Sequence, residues 1–134
     1  MSMTERIEEF THDGRQFLYF DLSHLKNNDE YMQLIEAAKP LVSKHARNSV
    51  YTITNVEGLR FDTETKKIVA KWIEHNKPYV IHGAVIGVDG IKKIIIASIT
   101  AITGRKNLTF AANKEHAIEQ CTVYSVQCTN KDNS

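Results

Sequence analysis

The sequence predicts an α/β fold: one domain built on a mainly parallel sheet, with an N-terminal antiparallel hairpin and crossover helices. Three observations carry this. Short β-rich runs alternate with helix-length amphipathic runs from Ser49 onward, a pattern that implies right-handed crossovers between parallel strands. An Asp13-Gly14 pair separates two short β-rich runs near the N-terminus, and D-G supplies the positive φ angles of a tight hairpin turn. The chain has 134 residues, which suits one domain and is short for two.

Taken in order, "RIEEFTHDGRQFLYFDL" reads as two strands around the D-G turn, with "LYFDL" the more buried. Asn28 or its neighbour caps a first helix, where Asp29 and Glu30 sit at the positive end of the dipole. Tyr31, Leu34, Ile35, Ala38, Leu41 and Val42 then recur at spacings of three and four to form one apolar stripe. Pro40 interrupts that stripe, so a kink or the start of the helix end is expected there. "NSVYTITNV" is the third strand. After "EGLRFDTET", the run "KKIVAKWIEHNK" carries Ile68, Val69, Trp72 and Ile73 on a helical stripe that ends at Asn76 before Lys77-Pro78. "YVIHGAVIG" is a nearly continuous apolar strand, as expected where both sheet faces are covered. "VDGIKKIIIASITAIT" is a helix closed by Gly104, "NLTFAA" a last short strand, and "NKEHAIEQCTVYSV" a last helix capped by Asn113. The domain is expected over residues 1–125, with 126–134 a disordered polar tail.

Composition narrows the function classes. The net charge of +1 supplies no overall field toward nucleic acid or an anionic membrane. No run approaches the roughly 18 uncharged apolar residues of a spanning helix; the nearest, Tyr79 to Ile102, is broken by His82, Asp89, Lys92 and Lys93. The acidic N-terminus "MSMTERIEEF" lacks a signal-peptide pattern, and a cytoplasmic location is expected. Cys121 and Cys128 have no second pair to complete a zinc site and read as free thiols.

No catalytic signature is visible. Gly83, Gly87 and Gly90 lie at a strand-to-helix junction, but their spacing is neither a dinucleotide fingerprint nor a P-loop. They read as a tight turn with Asp89 as a cap, or as an anion site formed by free N–H groups. None of the six histidines (His12, His24, His45, His75, His82, His116) has another at metal-ligand spacing, and His82 reads as a buried, hydrogen-bonded imidazole. The expectation is therefore no enzyme activity, no cofactor and no metal.

Two stretches remain as candidate sites. In the third long helix, Ile91, Ile94, Ile95, Ala97, Ser98, Ile99 and Ile102 cover a broad arc expected to face the sheet, with Ile96 outside it beside Lys92. Either this is a sheet-covering helix with one stray apolar residue, or part of it (Ile91, Ile95, Ile96, Ile99) meets a second subunit, another protein or an apolar ligand such as a lipid, for which the protein would be a carrier or sensor. A homodimer is the most economical version. In "RFDTETKK", Asp62 can cap the next helix and Glu64 suits the positive dipole end. Thr63 and Thr65 place hydroxyls where a phosphate would gain from free N–H groups.

Over nearly the whole chain to Glu119, the pattern resembles the STAS-domain group, and more specifically the SpoIIAA-like (STAS/CRAL-TRIO-like) small bacterial proteins. The stretches that carry the resemblance are "FLYFDLSHL", "NSVYTITNVEGLRFDTETKKIVAKWIEHNKPYV", "HGAVIGVDGIKKII" and "TGRKNLTFAANKEHAIEQ". The resemblance implies a sheet covered by helices and a regulatory loop between the third strand and the second long helix. In the antagonists of that group the loop reads Asp-Ser-Ser-Gly and one serine is phosphorylated. Laid on this chain, Asp62 matches the acid and Thr63 the first serine, while Glu64 replaces the phosphorylated serine and Thr65 the glycine. The resemblance thus implies a protein-interaction or regulatory module without the usual phosphoserine switch, with Asp62, Thr63, Glu64 and Thr65 as its partner loop.

Overall fold

The computed structural model describes residues 3–104 and 107–132, with side chains through Val123. After a 3-10 turn at Met3–Arg6 come β1 (Ile7–His12), β2 (Arg15–Asp21), α1 (Asn28–Ser43), β3 (Val50–Asn55) and α2 (Thr63–Asn76). They are followed by β4 (Val80–Ile86), α3 (Gly90–Thr103), β5 (Leu108–Ala111) and α4 (Lys114–Asp132). The α/β reading of the sequence holds. His12 pairs with Arg15 across the hairpin, and both turn residues have positive φ, 52° at Asp13 and 75° at Gly14. That backbone matches the right-handed twist of the two strands it joins.

The sheet order is β1-β2-β3-β4-β5. Among the described strands only the β1–β2 pair is antiparallel; β2 through β5 run parallel. Because every parallel step goes the same way, right-handed crossovers put all three connecting helices on one face. The packing agrees: Leu18, Phe20, Val50 and Val80 share one apolar cluster with Tyr31 and Leu34 of α1, Val69 and Trp72 of α2, and Ile96 and Ile99 of α3. Trp72 meets Phe20 edge-on at 5.2 Å between ring centroids. The opposite face carries Phe17, Tyr51, Ile53, Ala84 and Ile86, and α4 covers it with Ala117 and Cys121. Strand residues alternate between the two clusters, as a pleated backbone requires. In β4 the alternation shifts by one residue, because the β3 pairing moves from Val80 to His82 between Val50 and Tyr51.

Helix starts follow local chemistry. Asn27 caps α1, its Oδ1 accepting from Glu30 N at 2.9 Å, while Glu30 reaches back to the N–H of Lys26. Asp62, Asp89 and Asn113 accept in the same way from Thr65, Lys92 and His116. Pro40 does not end α1: it lies inside the helix, on an exposed position, and the last turn continues with Lys44 N donating to Pro40 O. Gly87 turns β4 toward α3 with φ 77°, and a Cβ there would sit 2.7 Å from Glu57 N. This glycine is required by both conformation and space.

The orientation of α3 differs from the sequence expectation. Ile96 and Ile99 are buried, Ile95 is half-buried, and Ile91, Ile94 and Ile102 are exposed. Ile96 is therefore a core residue, and the arc expected to face the sheet is rotated partly outward. Lys92 misleads the reading, because its stem runs along the buried side and its Nζ reaches Val56 O at 3.4 Å. A long cationic side chain can line apolar surface while its head finds a carbonyl.

At the sheet edge, β1 is tied to both layers. Glu9 pairs with Lys44 at the end of α1 at 2.9 Å, and Glu8 with Lys114 at the start of α4 at 3.0 Å. Finally, α4 extends to Asp132 rather than ending near 125. The expected tail over 126–134, with Cys128, falls where side chains, and for 133–134 the backbone as well, lie outside the described residues.

Candidate functional site at the carboxyl edge of the sheet

Parallel strands end together, so the loops after β2, β3, β4 and β5 all lie at one edge. The starts of α1, α2, α3 and α4 follow them there. In open α/β sheets the ligand crevice forms at this edge where the strand order reverses. Here the order runs without reversal, so no strand-reversal crevice opens among the described strands. What the edge does offer is the meeting of the α1 and α2 starts around Asp62.

Asp62 is an exposed cap with three donors. Its Oδ1 accepts from Thr65 N at 2.8 Å, lies 2.9 Å from Thr65 Oγ1, and receives Asn28 Nδ2 at 3.3 Å. The Thr65 backbone N–H, then its hydroxyl and Asn28, hold the Asp62 carboxyl below the usual carboxylate range. The Thr65 hydroxyl also stands 2.7 Å from Asn28 Oδ1, so its single proton serves two acceptors on two helices. Thr65 is only 2% exposed. A shallow cleft of about 230 Å3 lies over this joint, between Leu25, Lys26, Asn27 and Arg60.

The four loop residues singled out from the sequence therefore divide. Asp62 and Thr65 join α2 to α1, whereas Thr63 and Glu64 are exposed at the tip, followed by exposed Lys66 and Lys67. Thr65, expected from the sequence to offer its hydroxyl at the helix start, instead points inward and carries a structural hydrogen bond. The four isoleucines singled out on α3 divide as well. Ile96 and Ile99 belong to the core, Ile95 packs against it, and Ile91 alone is fully on the surface, joined there by Ile94 and Ile102. The loop and the outer α3 stripe are two separate features, since Ile91, Ile94 and Ile102 are absent from the walls of the Asp62 cleft.

A larger cleft, about 710 Å3, lies between the hairpin tip and α4, with His12, His82, Thr109, His116 and Glu119 among its walls. Its floor is a polar relay. His82 Nε2 lies 2.9 Å from Thr109 Oγ1, which donates to Gln120 Oε1 at 2.8 Å, and Gln120 Nε2 donates to Phe110 O. With the threonine proton committed to Gln120, the His82 Nε2 is the donor in this pair. The sequence reading expected the buried, bonded imidazole but not the cleft. His12 and His116 are far apart in the chain, and no local spacing relates them. Among the described residues, no three His, Cys, Asp or Glu side chains converge as a metal site.

No family model, curated protein or solved structure matches the chain. No helix among the described residues is long and apolar enough to cross a membrane.

Proposed function

We propose that the protein is a non-enzymatic interaction or regulatory module of the STAS/SpoIIAA-like type, acting in the cytoplasm without the usual phosphoserine switch. The observation that supports this is the division within the loop. Thr63 and Glu64 face solvent on a turn that Asp62, Thr65 and Asn28 hold in place. A partner meeting a turn already fixed loses less conformational entropy on binding. Glu64 contributes a permanent negative charge at the positive end of α2, and Thr63 contributes the hydroxyl. Affinity capture with wild-type bait and with a Thr63→Ala, Glu64→Lys bait tests the reading. The same specific protein, recovered by the wild type and lost with the variant, supports it; equal recovery by both removes the loop from the account.

A second reading, a carrier of a small ligand, is supported by the cleft of about 710 Å3 beneath α4, a volume within the usual range for ligand sites. Native mass spectrometry of the purified protein distinguishes it. A retained small molecule that is lost on His82→Phe supports this reading, and a spectrum of bare chain in every preparation ends it.

A further inference from the structure

We infer that the outer face of α3 is a docking surface for anionic lipid bilayers. Ile91, Ile94 and Ile102 are 72%, 70% and 84% exposed, far more than a helix covering a sheet requires. At 100° per residue they fall with Ser98 and Ala101 inside one arc about 100° wide, and both of those residues are exposed too. The result is a convex apolar strip along the whole helix. Its rim is cationic. Lys93 lies over the Phe110 ring at 5.8 Å near one end and Lys77 reaches Thr103 O at the other end at 3.5 Å, while Lys92 stays on the inner side with its Nζ at Val56 O. Among the described residues, none of the three pairs with a carboxylate. The helix itself contains no acid. Over residues 66–107 the chain has eight Lys or Arg and two acids, against nine and fourteen in the remainder. A net charge near neutrality hides this separation.

The charge selects the occupant. A second copy would bring lysines against lysines in either a parallel or an antiparallel helix pairing, which costs free energy when apolar contact excludes water. A protein partner is read best through aromatic and arginine anchors, and α3 has neither. An anionic bilayer meets both features together. Its acyl boundary accepts isoleucine and its headgroups accept a lysine rim, the arrangement of interfacial helices that lie on a membrane without crossing it. This docking is independent of the Thr63–Glu64 loop.

Co-sedimentation of the full chain with vesicles tests it. One set is phosphatidylcholine alone; the other contains about 30% phosphatidylglycerol, a level that gives a substantial negative surface potential. Binding at least about tenfold tighter to the anionic set is expected, falling steeply between roughly 0.1 M and 0.5 M salt. Ile94→Asp with Ile102→Asp should reduce it by at least about tenfold, and Lys77→Gln with Lys93→Gln by a similar factor. Ile94→Ser serves where the double aspartate perturbs the circular dichroism spectrum, and should weaken binding in the same direction. No binding to anionic vesicles, or binding untouched by the isoleucine variants, overturns the proposal. A dimer in light scattering that Ile94→Asp dissociates, with no vesicle binding, overturns it in favour of a second copy.

Discussion

Replacing Thr65 with valine keeps the shape of a buried side chain and removes the hydroxyl that serves Asn28 and Asp62. Two acceptors then lose a donor at a helix junction, so Thr65→Val should destabilise the fold by about 1–3 kcal/mol, read as a lower urea midpoint. Thr63→Ala, two residues away on the surface, should change stability by less than about 0.5 kcal/mol. Equal costs at the two positions would contradict the division of the loop. The acid limb of stability reports on the same joint. The hydrogen bonds that lower the folded pKa of Asp62 supply stability that is complete above its unfolded value. That stability is lost as pH falls through the lower folded value. Glu9, lowered first by its hydrogen bond from Lys44, acts with the same sign. Asp62→Asn keeps a capping side chain but cannot titrate, so its urea midpoint should fall less steeply than the wild type's below about pH 4. Parallel curves would remove Asp62 from the linkage. At Cys121, burial raises the thiol to about 12. In a Cys128→Ser background, Cys121 should therefore resist thiol reagents in the native state and react once urea unfolds the chain. The caps at Asp62, Asp89 and Asn113 were legible in the sequence because an N-cap is a local device, fixed by a side chain and the N–H three residues on, whereas the burial of Thr65 and Cys121 was not. The second role of Thr65 was not legible, since its partner Asn28 belongs to another helix.

Among elements, α3 shows where periodicity stops informing. Its fourteen residues carry six isoleucines, and when apolar residues occupy most of a helix the 3.6-residue period no longer selects a single inward direction. Burial was decided by α2 on one side and β5 on the other, and a lysine was accommodated on the inner side because Val56 O could receive it. By contrast, α1 shows a clear stripe, and Tyr31, Leu34, Ile35, Ala38 and Val42 are all buried as its spacing requires. Pro40 was expected to disturb this helix, yet three more residues of helix follow it. Its position keeps the ring on the exposed side, although the missing N–H still leaves a carbonyl one turn earlier without its helical partner. Pro40→Ala restores that donor and should raise stability by about 1–3 kcal/mol, measured from urea unfolding monitored by Trp72 fluorescence. A loss of stability would show that Pro40 contributes through the unfolded chain instead.

The molecule as a whole was the most legible scale in one respect and the least in another. Strand and helix order followed from alternating periods, and the D-G turn fixed the hairpin. The wide cleft under α4 did not follow, because it is enclosed by His12 from β1, His82 from β4 and His116 from α4. Only the sheet order brings those three together. That order also distributes the helices unequally, with three on one face and α4 alone on the other. Deleting the chain after Asn113 should therefore leave Phe17, Tyr51, Ile53 and Ile86 uncovered and produce a protein that binds an apolar dye or aggregates. A monodisperse, dye-silent fragment would show that the second face needs no cover.

The sequential strand order also has a consequence for synthesis. Each new strand docks beside the one made just before it, so the sheet can grow in the order in which the ribosome releases it, with no strand waiting for a later neighbour to be inserted between it and its predecessor. Only the second face must wait. It stays bare until α4, made after all five strands, has left the exit tunnel. A nascent chain stalled before that point would be nearly complete in its pairing and would still present its aromatic face to whatever chaperone is near.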